Sequence, residues 1–169
     1  MTLSTQLRDL VSRDPSQVLS VDDLRQLDET FRGIDEDDDG EVTRVELRRA
    51  LADRRAAPFV TESRVDAFLS DVDLDGDGCL TFEELTSATA LRRVESLLSQ
   101  IEHEVATLDP NAEADDATIA DTILDPLLEV LGVHEAPARA EAIAKLERTA
   151  NARVHREHLA LAFFAAKRS

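Results

Sequence analysis

Apolar residues recur every three or four positions along most of the chain, with polar residues between them. This spacing places apolar side chains on one face of an α-helix. Such stretches flank two short acidic segments, at residues 35–46 and 73–84. The apolar positions before the segments are Leu24, Leu27, Phe31 and Ile34, then Val65, Phe68, Leu69 and Val72. Those after them are Val45, Leu47 and Leu51, then Phe82, Leu85 and Ala88. The pattern predicts an all-α protein with a helix on each side of both segments.

Helix-start and helix-stop signals agree with this division. Ser20 with Asp23 is typical of a capping box for the helix that enters the first segment. Thr61 is a candidate N-cap for the helix that enters the second. The stretch 56–58, Ala-Ala-Pro, predicts a break between the two helical pairs.

The two acidic segments repeat one pattern, 38 residues apart. Both have Asp at positions 1, 3 and 5, Gly at 6, an aliphatic residue at 8 and Glu at 12. A hard cation such as Ca²⁺ takes about six to eight oxygen ligands, and a tight loop can supply them from alternate residues. In the first loop, the expected ligands are Asp35, Asp37, Asp39, the carbonyl of Glu41 and both carboxylate oxygens of Glu46. In the second loop, they are Asp73, Asp75, Asp77, the carbonyl of Cys79 and Glu84.

The first loop opens with five consecutive acids, residues 35–39. Without a cation, their mutual repulsion disfavours a compact turn. An acidic solvated linker is the alternative interpretation. Because the glycine, the aliphatic residue and the final glutamate are correctly placed twice, a pair of metal loops is favoured.

These loops resemble the calcium-binding loops of the EF-hand superfamily at every diagnostic position. The resemblance implies that each loop lies between two helices, that hands work in pairs, and that Val42 and Leu80 meet in a short two-stranded bridge. More specifically, the chain resembles four-hand proteins such as calerythrin and the sarcoplasmic calcium-binding proteins, and more distantly calmodulin.

The C-terminal half has the apolar framework of two more hands without their ligands. Ile119 and Val154 occupy the aliphatic position 8, so the four such positions are 38, 39 and 35 residues apart. The degenerate loops lie at about 109–123, three residues too long, and at 147–158. Position 12 is Ile123 in one and His158 in the other. The expected fold is therefore four EF-hands in two paired lobes, each with a two-stranded bridge, of which only the first lobe binds calcium.

The expected organisation has three parts. Residues 1–19 form an extension, with one helix carrying a stripe at Leu3, Leu7, Leu10 and Val11. Either this helix simply packs on the body, or it occupies the groove of a lobe and leaves it when calcium or a partner arrives. Residues 20–90 are the calcium-competent pair, and residues 91–169 are the degenerate pair.

The central segment 81–108 contains neither Gly nor Pro. It is compatible with one long helix or with two helices separated by a bend. Its apolar residues are too frequent for an exposed connector, so the bent, compact form is favoured. Those residues are Leu91, Val94, Leu97, Leu98 and Ile101.

Composition narrows the class of function. A net charge of −17 over 169 residues excludes a general affinity for nucleic-acid phosphate or an anionic membrane surface. Cys79 is the single cysteine, and its position offers a carbonyl, so no disulfide and no catalytic thiol are expected. With neither a signal stretch nor a membrane span, a cytoplasmic monomer is expected.

Two functions fit these residues. The first is a calcium buffer or carrier with two Ca²⁺ per chain, for which Mg²⁺ may compete. The second is a calcium sensor that regulates an unidentified protein target through a helix-binding groove. No nucleophile–base pattern or phosphate loop indicates an enzyme. A transition-metal site at His155 and His158, with Glu157 or His103, is a further, less favoured interpretation.

Overall fold

The computed structural model describes residues 5–53, 62–108, 118–147 and 153–168. Within these ranges the chain is mostly helical. The helices are α1 (Thr5–Arg13), α2 (Val21–Arg32), α3 (Arg44–Asp53), α4 (Glu62–Val72), α5 (Phe82–Leu108), α6 (Leu124–Val130), α7 (Ala136–Ala144) and α8 (Arg156–Arg168). Short 3-10 helices lie at Pro15–Gln17 and Asp121–Ile123. The strands are β1 (Glu41–Thr43), β2 (Cys79–Thr81), β3 (Thr118–Ala120) and β4 (Arg153–His155).

The chain divides into two compact units. One consists of residues 12–90 and the other of residues 1–11 together with 91–169. The first unit contains both acidic loops. The sequence did not predict that the first residues would group with the C-terminal half.

In the first unit, α2 begins with the predicted capping box. The Asp23 N–H donates to Ser20 Oγ at 3.2 Å, and the Ser20 N–H donates to Asp23 Oδ2 at 2.8 Å. These bonds satisfy backbone donors that the first helical turn leaves without partners. The predicted cap at Thr61 and the break at 56–58 lie outside the described residues.

The helices of this unit pack around one apolar core. Phe31 and Phe82 meet edge to face, with ring centroids 5.9 Å apart. The buried members of the core are Phe31, Val42, Leu47, Val65, Leu69, Val72, Leu80 and Ala88. The helical spacing therefore identified most of the core face, with three exceptions. Leu24 and Leu27 are half-buried and are not part of this core. Val45 is 50% exposed, because the first turn of α3 directs it away from this core.

Short antiparallel bridges join the loops in pairs. In the first unit, Val42 lies opposite Leu80, as the family resemblance implied. In the second, Ile119 lies opposite Val154. All four side chains are buried. The residues assigned to position 8 from spacing alone are thus those that pair.

The C-terminal unit has its own core, and its helix faces match the apolar spacing. Its fully buried side chains include Ile101, Ile119, Leu124, Leu127, Leu128 and Leu159. The buried Arg139 links α7 to the first turn of α6 and to the loop that follows α6. Its Nε donates to Asp125 Oδ1 at 2.9 Å, and its Nη1 donates to the carbonyls of Val133 and His134.

The central segment is one uninterrupted helix, α5, of 27 residues. The expectation of two helices separated by a bend was therefore wrong. With no Gly or Pro between Phe82 and Leu108, nothing interrupts the backbone hydrogen bonds. The apolar residues of α5 are frequent because they are buried, and not because the helix bends. Leu91, Val94, Leu97, Leu98 and Ile101 are all buried.

None of the described helices combines the length and the apolar character that crossing a membrane requires.

Candidate metal centres

The first acidic loop brings together the carboxylates of Asp35, Asp37 and Asp39. One oxygen from each lies within 4.8 Å of the others. Oxygen ligands around Ca²⁺ lie about 2.3–2.6 Å from the ion, so two of them are at most about 5 Å apart. The cluster therefore has the dimensions of a calcium shell. Asp35 is buried at the loop's start, and the other two are exposed.

The second loop forms a matching cluster from Asp73, Asp75 and Glu84. Its oxygens also lie within 4.8 Å of one another. Asp77 is not in this cluster by that criterion, and its Oδ1 accepts the Cys79 N–H at 2.8 Å. Glu46 is likewise outside the first cluster.

Both loops turn at the glycine in position 6. Gly40 has φ +89° and Gly78 has φ +87°, backbone angles that residues with a side chain rarely adopt. The Gly40 N–H donates to Asp35 Oδ2 at 3.1 Å, and the Gly78 N–H donates to Asp73 Oδ2 at 3.0 Å. Each turn thereby holds the first aspartate of its loop in place.

Position 4 also has a left-handed backbone in both loops, which was not predicted from the sequence. Gly76 occupies it in the second loop with φ +79°, and Asp38 occupies it in the first with φ +58°. Asp38 is the one non-glycine residue with positive φ among the described residues. The first loop therefore contains local strain that the second does not.

The glutamate at position 12 is held by the threonine at position 9. In the first loop, Glu46 Oε2 accepts the Thr43 N–H at 2.8 Å and the Thr43 hydroxyl at 2.6 Å. Its Oε1 accepts the Glu36 N–H at 2.9 Å. Both oxygens of the Glu46 carboxylate are thus oriented by hydrogen-bond donors of the loop.

Glu84 has the same environment in the second loop. Its Oε2 accepts the Thr81 N–H at 2.9 Å and the Thr81 hydroxyl at 2.8 Å, and its Oε1 accepts the Leu74 N–H at 2.8 Å. The glutamate N–H also approaches the threonine hydroxyl, at 3.4 Å for Glu46 and 3.3 Å for Glu84. These are capping boxes for α3 and α5.

The capping role of Thr43 and Thr81 was not predicted from the sequence. The signal was present. Thr-x-x-Glu occurs at 43–46 and again at 81–84, which is the spacing of a capping box.

Two carboxylates of the first loop have pKa values shifted in opposite directions. Loss of surrounding water, followed by the charges of Asp39 and Glu46, raises the pKa of Asp37. Hydrogen bonds from the side chain and backbone of Thr43, then from the Glu36 N–H, lower the pKa of Glu46. A neighbouring cation would offset the charges of Asp39 and Glu46 that help to raise the pKa of Asp37.

In the second loop, burial acts to raise the pKa of Glu84. Hydrogen bonds from Thr81, Leu74 and Asp75 outweigh it, so the pKa is lowered. Glu84 is thus held as an anion although it is buried.

Asp35 supplies the observation that tests the fit of a cation. Its side chain is only 7% exposed, and its Oδ1 is buried without a hydrogen-bond partner among the described residues. An ionised oxygen in that position is costly unless a donor or a cation meets it. The donor set is entirely oxygen, which is the set that calcium and magnesium prefer. The residues present fit a hard divalent cation.

Cys79 is a half-buried thiol at position 7 of the second loop. Burial, followed by the charges of Asp77, Glu41 and Asp39, raises its pKa. The thiol is therefore held in its protonated, unreactive form.

The degenerate loops are described only in part. Residues 109–117 and 148–152 lie outside the described ranges, including Thr149, Asn151 and Ala152 of the fourth loop. His158 is exposed in the first turn of α8, and its ring lies 5.6 Å from that of His155. In the described part of the chain, groups of three metal-ligating side chains occur at the two acidic loops alone. The histidine pair thus gains no third ligand there.

Comparison with known proteins finds a family match within the first unit. Residues 24–90 match the family model of an EF-hand domain pair. This range holds both acidic loops and the helices around them. No curated protein matches the chain. The narrower resemblance to calerythrin and the sarcoplasmic calcium-binding proteins stays a prediction.

Proposed function

We propose that the protein binds two Ca²⁺ ions, one in each acidic loop of the first unit. The observation that carries this proposal is the repeated site. Each loop has a cluster of three carboxylates, a left-handed turn at a glycine, and a position-12 glutamate that accepts hydrogen bonds from the threonine at position 9. Asp35, Asp37, Asp39, the Glu41 carbonyl and Glu46 are the proposed ligands of the first ion. Asp73, Asp75, Asp77, the Cys79 carbonyl and Glu84 are those of the second.

When bound, the ion supplies positive charge that offsets the repulsion among these carboxylates. The protein residues supply the shape of the shell. Gly40 and Gly78 turn the chain around the site, and Thr43 and Thr81 hold the glutamates that close it. Because all ligands are hard oxygens, Mg²⁺ is a competitor.

The favoured role is that of a calcium buffer or carrier. Each loop has four acidic chelating residues, and a high ligand charge supports tight binding. Met1 is the single methionine, so the chain lacks the methionine-rich groove that promiscuous sensors use. With the carboxylates assigned to a full coordination shell, no open position is left for a substrate, so catalysis is not proposed.

A calcium sensor is the second candidate. It is supported by the pairing of the loops through Val42 and Leu80, which links both sites to the core of the same unit. A change at either loop can then reach the packing of Phe31 and Phe82. A leucine- and phenylalanine-lined surface could serve as the target groove.

One titration tests both candidates. Calorimetry of the calcium-free protein should give two Ca²⁺ per chain, with and without magnesium, while an apolar dye reports exposed apolar surface. Four ions per chain would contradict the assignment of the C-terminal loops. A large calcium-dependent rise in dye binding would favour the sensor, and no rise would favour the buffer.

A further inference from the structure

The first acidic loop is linked to the helix that follows it by an ion pair. Arg49 of α3 places its Nη1 2.5 Å from Oε2 of Glu36, the residue at position 2 of the loop. Arg49 lies three residues after Glu46, so both side chains lie on one side of α3. The Glu36 N–H also donates to Glu46 Oε1 at 2.9 Å. Glu36 therefore contacts this side of α3 twice, once through its backbone and once through its carboxylate.

The second loop has no charged residues for such an ion pair at the same positions. Its position 2 is Leu74, whose N–H donates to Glu84 Oε1 at 2.8 Å but whose side chain is apolar. Ser87 corresponds to Arg49, 38 residues further on, and its hydroxyl donates to the carbonyl of Ser12. The backbone donor is thus common to both loops, whereas the arginine is a feature of the first.

The first loop also has more to oppose a closed conformation. Residues 35–39 are five consecutive acids, and Asp38 adopts φ +58°. Repulsion among the acids and the strained backbone both disfavour the turn in the calcium-free chain. If the loop opened, the Glu36 N–H would move away from Glu46. Since Glu36 is one of the five acids, its ion pair with Arg49 both offsets a negative charge and opposes this movement.

We propose that Arg49 is a positioning residue of the first calcium site. Arg49 acts through Glu36, because the ion pair holds this residue where its N–H orients Glu46 Oε1 toward the ion. Arg49 is not itself a ligand. The inference rests on the proposed function, since it assigns a further residue to the first of the two proposed sites.

Charge and position make opposite predictions for the loss of Arg49. A cationic side chain near a calcium site repels the ion, so its removal should tighten binding if charge alone matters. If Arg49 positions Glu46, its removal should weaken binding although a positive charge is lost. The side chains of the pair are 59% and 53% exposed, so its contribution is modest. We expect a weakening of about two- to fivefold.

Calcium titration of full-chain variants distinguishes the two explanations. In a Glu84→Gln background the second loop is weakened, so calorimetry reports mainly on the first. In this background Arg49→Gln should lower the calcium affinity about two- to fivefold, and Arg49→Lys, which keeps the charge, should recover part of the loss. Arg32→Gln is the matched control. Arg32 forms an exposed ion pair with Asp28 at 3.1 Å, near the end of α2, and its loss should leave the affinity unchanged or higher.

Two further comparisons test the route by which Arg49 acts. In a protein that already carries Glu36→Gln, adding Arg49→Gln should cause no further weakening, because the pair is already broken. In a Glu46→Gln background, where the second loop is the stronger site, Arg49→Gln should leave the calcium affinity unchanged. Thermal unfolding of the Arg49→Gln protein in chelator should give a Tm close to that of Arg32→Gln.

Unchanged or tighter binding by the Arg49→Gln protein in the Glu84→Gln background would overturn the positioning role. An equal loss of affinity in the Glu46→Gln background, or a strongly lowered Tm in chelator, would also overturn it, since Arg49 would then support the fold as a whole. A Glu84→Gln protein that binds no calcium would have a different meaning. It would overturn the proposed first calcium site itself, and the role of Arg49 with it.

Discussion

In both acidic loops, one glutamate caps a helix and also faces the proposed ion. Glu46 and Glu84 each accept the N–H and the hydroxyl of the threonine three residues earlier. The start of each exiting helix therefore orients the glutamate that is the proposed last ligand of its loop. Pre-orientation of this kind reduces the ordering cost of binding.

Glu46→Gln and Glu84→Gln should each weaken one calcium site at least about tenfold, which corresponds to about 1.4 kcal/mol. Glutamine removes the charge and one acceptor oxygen. It still serves in a capping box, so the fold should change little. Calorimetric calcium titration measures the loss. Glu83→Gln is the matched control, because it removes the same charge from an exposed neighbour. Equal losses in Glu83→Gln and Glu84→Gln would show that charge alone matters.

Position 4 of the loops offers a reciprocal exchange. Asp38 adopts φ +58°, so Asp38→Gly should relieve strain and also remove one of five consecutive acids. We expect the calcium-free protein to gain roughly 0.5–1 kcal/mol of unfolding free energy. Gly76→Asp should have the opposite effect, because φ +79° is strained for a residue with a side chain. A Cβ there would meet no atom within 4 Å, so the effect would come from the backbone and not from a steric clash. Urea unfolding in chelator tests both, and changes of the same sign would refute the backbone explanation.

At the level of elements, the capping boxes couple helix stability to metal binding. Thr43→Ala and Thr81→Ala remove the hydroxyl that caps α3 or α5. Each should cost about 0.5–2 kcal/mol of unfolding free energy. Each should also reduce the affinity of its own loop by less than the glutamine substitutions do, because the backbone N–H still orients the glutamate.

Thr30→Ala provides the control for these threonine substitutions. The Thr30 hydroxyl donates to the Gln26 carbonyl within α2, away from either loop. Thermal unfolding in chelator and calcium titration should both leave it close to the wild type. A Thr43→Ala protein with unchanged stability and affinity would mean that the capping contact is dispensable.

Local features were the ones that could be predicted from the sequence. The capping box at Ser20 and the Val42–Leu80 bridge depend on residues close in the chain or on a repeated motif. Spacing also identified Ile119 and Val154, which pair although their loops have lost the ligand pattern. The apolar framework was informative there because it is needed for packing whether or not an ion binds.

Features decided by tertiary packing could not be predicted. The stripe at Leu7 and Val11 shows that α1 is amphipathic but not which surface it covers. The continuity of α5 was not predicted either, because the frequent apolar residues favoured a bend, although neither Gly nor Pro marks a break. Val45 fits the helical period, yet half of its surface is exposed.

On the scale of the whole molecule, negative charge is concentrated in the first unit. Residues 12–90 carry 21 Asp and Glu against nine Arg, a net −12 out of the total of −17. Repulsion of this kind destabilises a compact state. Two bound Ca²⁺ would reduce the charge of this unit to −8 and would place four positive charges where the carboxylates are closest.

The calcium-free protein should therefore be stabilised by simple salt. Screening shortens the range of repulsion to about 10 Å at 0.1 M and about 3 Å at 1 M, so Tm in chelator should rise with KCl concentration. The calcium-saturated protein should start at a higher Tm, by mass action, and respond less, because its carboxylates are already neutralised in part. Calorimetric scans of both forms across the same KCl series measure the difference. Equal salt responses would mean that the acidic loops do not limit the stability of the calcium-free protein, and that the cost of holding five consecutive acids in one turn is offset elsewhere in the unit.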